Sequence, residues 1–352
     1  MASRSKGAVS KWWWVVAVLV ALPAVPAIVF INSDMYEDMQ YMKTPKFEIG
    51  EHRGAALCGS CHRRIYAEWR DHSRHAVATT NANFLDTRNY VEDNVFLKAF
   101  MGEESCYACH GIKGSAEGVN CEICHGPAVP GLSLEELHST KYEPGLSEMR
   151  KKTFCANCHE LFPPMMSPYS QWLQSKAASE GMTCQGCHMA PVDGIPYHGF
   201  DSILHNAGIY EGDLVIRDVR LAFPNLSMVV ENRIKSHGVP VGGPSRVLVL
   251  EASILDEQGR QIHKVMDTFY RKFELMPEIM GSMPSGVVIE DTQLRSLEAR
   301  PVTYALPAKI EGKARKVAVI LRFYDVADQH QGNLEKAHWM SGPLARAELE
   351  IR

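Results

Sequence analysis

Five times between residues 58 and 188 the chain repeats one frame, two cysteines three apart with a histidine directly after the second. The frames are Cys58, Cys61, His62; Cys106, Cys109, His110; Cys121, Cys124, His125; Cys155, Cys158, His159; and Cys184, Cys187, His188. They use all ten cysteines, so no thiol remains for a disulfide, a nucleophile or a separate metal site. Paired cysteines also hold zinc in knuckles, and a lone C-x-x-C can be a redox dithiol. Neither use requires a histidine after every second cysteine. C-x-x-C-H is the signature of covalent c-type haem attachment. On one helical turn each thiol reaches a vinyl group of the porphyrin, and the adjacent histidine lands on the iron as proximal ligand. Five covalently attached haem c groups are therefore expected, with His62, His110, His125, His159 and His188 on the irons.

That expectation constrains the fold more than any propensity does. Residues 51–206 hold every frame, and the intervals between first cysteines are 48, 15, 34 and 29 residues, too irregular for a solenoid repeat. Five porphyrins leave little room for an ordinary side-chain core, which implies a mostly-α, irregular domain of short helices and loops wrapped on a haem stack. The fifteen-residue step from Cys106 to Cys121 makes two haems neighbours. Close stacking lets electrons tunnel from one iron to the next.

Ten histidines lie outside the frames: His52, His72, His75, His138, His198 and His205 in the haem region, and His237, His263, His330 and His338 beyond it. Six local histidines for five sixth positions favour closed, bis-histidine irons, and so electron transfer rather than catalysis. His75, His138, His198 and His205 are the preferred distal ligands, with His52 and His72 behind them. His237, in "SHGVPVGG", either reaches back to a haem or serves the turn. Met165 and Met166 are a further option, since methionine ligation raises a haem's potential. The competing function is an oxidoreductase with one five-coordinate haem acting on a small nitrogen or sulfur compound.

Trp12 to Ile31 is a run of twenty uncharged, mostly apolar residues, long enough for a bilayer core of about 30 Å. Arg4, Lys6 and Lys11 precede it and Asp34, Glu37 and Asp38 follow, which leaves the N-terminus in the cytoplasm and exports the rest. The alternative is a signal peptide cut near Ala27; cleavage there would also fit a subunit of a polymeric haem wire. The expected organisation is 1–11 cytoplasmic, 12–31 a single transmembrane helix in the inner membrane, 32–50 a linker, 51–206 the haem domain and 207–352 a β domain, the last two on the periplasmic or exterior side. A net charge of −4, with no basic run beyond "RKK" at 150–152, argues against nucleic acid.

After residue 208 the pattern becomes period-two: "LVIRDVRLAF", "RVLVLEASIL", "KVAVILRFYDV" and "ARAELEIR" read as strands. Six to eight strands without a long helix indicate an all-β, Ig-like sandwich. Its expected role is docking redox partner proteins, as part of a larger respiratory complex.

The runs "CGSCHRRIYAEWRDHSRHA", "GVNCEICHGPA", "FCANCHE" and "TCQGCHM" resemble the multihaem cytochromes related to the tetrahaem electron acceptor of hydroxylamine oxidoreductase, over about residues 58–206. In that family an aromatic pair like Tyr66 and Trp69 follows the first frame, then a serine and a histidine that match Ser73 and His75. The resemblance implies that His75 is a distal ligand. The segment "HGVPVGGPSRVLVLEASILDEQG" is similar to a β domain appended to exported multihaem cytochromes. Five haems instead of four and the N-terminal anchor depart from the family pattern. Quinol-oxidising tetrahaem proteins of the membrane also carry one anchor helix, yet they lack a long β domain.

Overall fold

Strict alternation along "KVAVILRFYDV" gives a strand with one face for burial, and in the computed structural model that strand is the spine of the C-terminal half. The structure describes residues 54–93, 98, 106–107, 109–125, 135, 138, 149–151, 153–160, 168–200, 212–243, 245–275, 286–326 and 334–351. The expected membrane span at 12–31 lies outside these residues. Among the described residues no helix is long and apolar enough to cross a membrane.

The haem-frame region is built from short helices: α1 (Ala55–Gly59), α2 (Arg63–His72), α3 (Ala82–Asp93), α4 (Cys121–His125), α5 (Ala156–His159), α6 (Pro168–Leu173), α7 (Lys176–Ser179) and α8 (Cys184–His188). A two-stranded hairpin follows, β1 (Pro191–Val192) with β2 (Ile195–Pro196). Apolar packing is sparse here, the cluster around α2 consisting of buried Ala55, Trp69 and Ala76 with Tyr66 and Cys121 against it. Polar ties compensate. Trp69 donates its indole N–H to Val119 O at 2.9 Å. At the start of α1 the free N–H groups of Gly54 and Ala55 donate to Glu122 and Glu117 at 3.2 and 2.8 Å. Gly118, at φ 59°, lies against the backbone of His75 and Ala76, where a Cβ would collide with His75 O.

The C-terminal half is a sandwich of two sheets. One has the order β11-β10-β5-β6, with β11 (Ala337–Met340) and β12 (Ala345–Glu350) successively pairing one edge of β10 (Lys316–Val326) while β5 (Arg246–Leu255) pairs the other. Antiparallel β6 (Gln261–Phe269) completes it. The second sheet is β3 (Leu214–Ala222), β4 (Asn225–Asn232) and β9 (Ala299–Ala305). A separate ribbon joins β7 (Arg271–Leu275) to β8 (Gly286–Asp291). Ten strands are described after residue 208, more than the six to eight expected, because β7, β8 and β11 are too short or irregular to declare a period.

Inward residues of the two sheets share one core, Leu226, Met228 and Val230 from β4 meeting Leu248, Leu250, Ile254, Val317, Val319 and Leu321. β5 is buried on both faces, since Val247 and Val249 form a second cluster with Val326. Contacts also tie the sandwich to the haem-frame region. Arg74, just beyond α2, bonds Asp325 of β10 at 2.7 Å, and the carboxylate side chain is only 4% exposed. His338 of β11 meets Asp86 of α3 at 3.1 Å. Truncating one member of a buried pair costs about 3–5 kcal/mol. With the Arg74 side chain 34% exposed, Arg74→Ala is expected to cost about 2 kcal/mol, read as a lowered denaturant midpoint at unchanged slope.

Candidate functional site: five haem frames and their histidine pairs

The third, fourth and fifth frames each lie on a single helical turn, and the first continues the end of α1 as a hydrogen-bonded turn, which is what the two-residue gap between the thiols requires. In the first, His62 and Cys61 donate N–H groups to Cys58 O at 2.9 and 3.3 Å, and in the fourth His159 and Cys158 repeat this on Cys155 O at the same distances. Such short turns need capping. Thr183 accepts from Gly186 N at 3.0 Å in front of α8. Asn120, 2% exposed, accepts from Glu122 N and Ile123 N at 3.1 and 3.3 Å in front of α4. These caps directly precede the first cysteine, a signal present in the sequence that the frame spacing alone does not use.

Four histidine pairs face one another. His62 and His138 stack with ring centroids 5.7 Å apart and planes 4° apart, their Nε2 atoms separated by 3.4 Å. His125 pairs with His198 at 6.3 Å and 25°, and His188 with His237 at 6.3 Å and 8°. His75 meets His159 edge-on at 5.9 Å and 85°. A metal between two imidazoles needs about 2 Å to each nitrogen; the His62/His138 Nε2 separation falls slightly short of that, and the rings of the other three pairs are set farther apart. His110 differs: its ring lies 4.8 Å from Phe84, and among the described residues no histidine ring pairs with it.

Second contacts fix which nitrogen is offered. The Nδ1 atoms of His198, His237 and His110 lie 2.7, 3.0 and 3.1 Å from the carbonyls of Pro196, Gly238 and Ala78, so each Nδ1–H donates and Nε2 keeps its lone pair. Ser73, closing α2, accepts from His75 N at 3.1 Å and sits 3.3 Å from its Nδ1. Glu68 of α2 accepts from His198 N at 3.0 Å and from Arg64 Nε at 2.8 Å. Burial opposes its ionisation, but the bonds from His198 and Arg64 outweigh that and hold the carboxyl below the usual range.

His75, His125, His159 and His237 are also kept neutral, the ligating form. Removal from water is the main cause in each case, lowering His75, His125 and His237 to about 4 and His159 to about 3. His159 nevertheless keeps accessible surface.

The thiols give the order of the frames. Cys58 hydrogen-bonds Cys121, and Cys155 hydrogen-bonds Cys184, raising Cys121 and Cys155 and lowering Cys184 to about 7. Frame 1 thus adjoins frame 3, and frame 4 adjoins frame 5. Cys124 acts on Cys155, and His110 on His75 and His159, which brings frames 2 and 3 towards frame 4.

The structure brings His75, His138 and His198 to frame histidines, while His205, His52, Met165 and Met166 lie outside the described residues. His72 is exposed at the end of α2. His237, which the sequence leaves open between reaching a haem and serving the turn, was not among the preferred distal ligands, because those were chosen from the histidines near the frames. Its uncharged surroundings in "HGVPVGG" were the available sign.

Residues 57–126 match the family described as cytochrome c554 and c-prime. The fold is similar to that of a penta-haem cytochrome c552 from Thermochromatium tepidum, at TM-score 0.61 and 18% identity, covering 85% of this chain and 99% of that one. A superoxide reductase in the oxidised state aligns with 40% of this chain and 86% of its own at 11% identity, but its TM-score of 0.17 indicates no common fold. No curated protein matches the chain. Frames, fold and family match together support a multihaem c-type cytochrome with covalently bound haem c.

Ring orientation has a spectroscopic consequence. Parallel axial imidazoles separate the iron's two upper t2g orbitals, whereas perpendicular ones leave them nearly degenerate. Were haem iron bound between the paired rings, the oxidised protein would give one low-spin EPR signal of large g anisotropy, from the His75/His159 pair, beside more rhombic signals from the nearly parallel pairs; purely rhombic spectra would contradict that ligation by the 85° pair.

Proposed function

We propose that the protein is a pentahaem electron-transfer cytochrome, anchored in the inner membrane through residues 12–31, that relays electrons from a membrane-side donor to a periplasmic or extracellular acceptor within a respiratory assembly. The observation that carries this reading is the set of four facing histidine pairs, which would close the irons they hold against substrate. Bound haem supplies a one-electron redox change. The chain's own part is to hold the frames in contact and to keep His75, His125, His159 and His237 neutral by burial. The resemblance to electron acceptors of hydroxylamine oxidoreductase supports the same role, as does the apolar run with its charge bias at the N-terminus.

His110 favours a second reading. With Phe84 against its ring, a haem on the second frame would have no histidine opposite it among the described residues, which would suit an oxidoreductase for a small nitrogen or sulfur compound. Intact mass and magnetic circular dichroism of the protein matured in a cytochrome-competent host separate these. Five added haems with wholly low-spin iron would establish the relay. A high-spin ferric signal that shifts with added small ligands would establish the enzyme, and colourless protein of bare polypeptide mass would end both.

A further inference from the structure

The β sandwich does more than lie beside the haem frames. We propose that it supplies the sixth ligand of the fifth haem, His237 coordinating opposite His188; this rests on the multihaem reading above. The two rings lie 6.3 Å apart and 8° from parallel, matching the His125/His198 and His62/His138 pairs whose members all come from the haem-frame region. His237 shows the same tautomer device as His198, with Nδ1 committed to a main-chain carbonyl and Nε2 left for a metal.

The loop that carries His237 is built to hold it still. Asn232, fully buried at the end of β4, donates to the carbonyls of His237, Leu294 and Arg295 at 3.4, 3.1 and 2.9 Å and accepts from Ile234 N at 3.0 Å. Gln293 donates to Pro240 O. From the haem side, Gln171 of α6 accepts from Gly238 N at 2.9 Å and donates to Gln293 at 3.3 Å. Lys235 reaches Glu180 at 2.8 Å, and its carbonyl accepts from Ala177 N at 3.3 Å. The segment leading from frame 4 to frame 5 is thus latched to the loop on both sides of His237. Coordination of one iron then depends on the fold of a domain that contains no frame.

The test uses the full-length holoprotein. His237→Ala should keep every covalent haem by intact mass yet convert one low-spin signal to high-spin, and added imidazole should restore it. His237→Met should stay low-spin and raise the potential of that single haem in a redox titration. His263→Ala, on β6, should change neither. An unaltered low-spin signal in haem-complete His237→Ala overturns the assignment. If that variant does not accumulate, an unshifted titration in His237→Met overturns it instead. Wild-type protein without haem would overturn the multihaem reading as well, so the two failures are distinguishable.

Discussion

Replacing Cys155 and Cys158 with alanine is expected to remove one covalent haem and to disconnect the two ends of the relay. The fourth frame is where the pairs meet: Cys155 bonds Cys184 of the fifth frame and interacts with Cys124 of the third, while His159 faces His75 and is influenced by His110 and His188. Electron tunnelling falls steeply with the gap between centres. Losing the central site should therefore slow transfer between the first and fifth haems by several orders of magnitude, whereas losing a terminal site should shorten the relay without cutting it. Intact mass reports the missing haem, and rapid partial reduction followed optically reports the transfer. Undiminished transfer in haem-deficient protein would mean that the thiol contacts do not describe the path.

The second large effect is expected in the sandwich. Leu250, fully buried on central strand β5, faces the core shared by both sheets. Leu250→Ala should cost about 3–4 kcal/mol through lost burial and the cavity left behind. For a domain of this size that lowers the melting temperature by on the order of 10 °C. Because β4 ends in Asn232, which orders the His237 loop, the loss of sheet signal in circular dichroism and the appearance of high-spin iron should occur over the same temperature range. Two separate transitions would show that the sandwich melts without disturbing the fifth frame.

Much of this architecture was legible in the sequence, and the parts that were not have physical reasons. The frames declare themselves because thioether chemistry fixes residue type and spacing together. β5 and β10 are equally plain, since ten or eleven residues of branched side chains can serve no other element so well. β7 and β11, at five and four residues, are shorter than the window over which a period shows. His237 stayed undecided for a different reason. Local histidines were numerous enough to fill the sixth positions, so nothing in the arithmetic demanded a ligand from beyond the β boundary. Only the folded chain reveals that β4 and the turn after it deliver that ring to His188.

The hydrogen-bonded thiols of Cys58 with Cys121, and of Cys155 with Cys184, set a deadline on biogenesis. Thiols of adjoining frames are cystine precursors wherever oxidants are at hand, and each mistaken bridge would weld two neighbouring turns and deny both of them their cargo. The nascent polypeptide must be loaded before it collapses, or be shielded by a reductant until it is. Overproduction that outruns the attachment machinery is therefore expected to yield cross-linked, colourless by-product in place of a mixture of partly filled molecules.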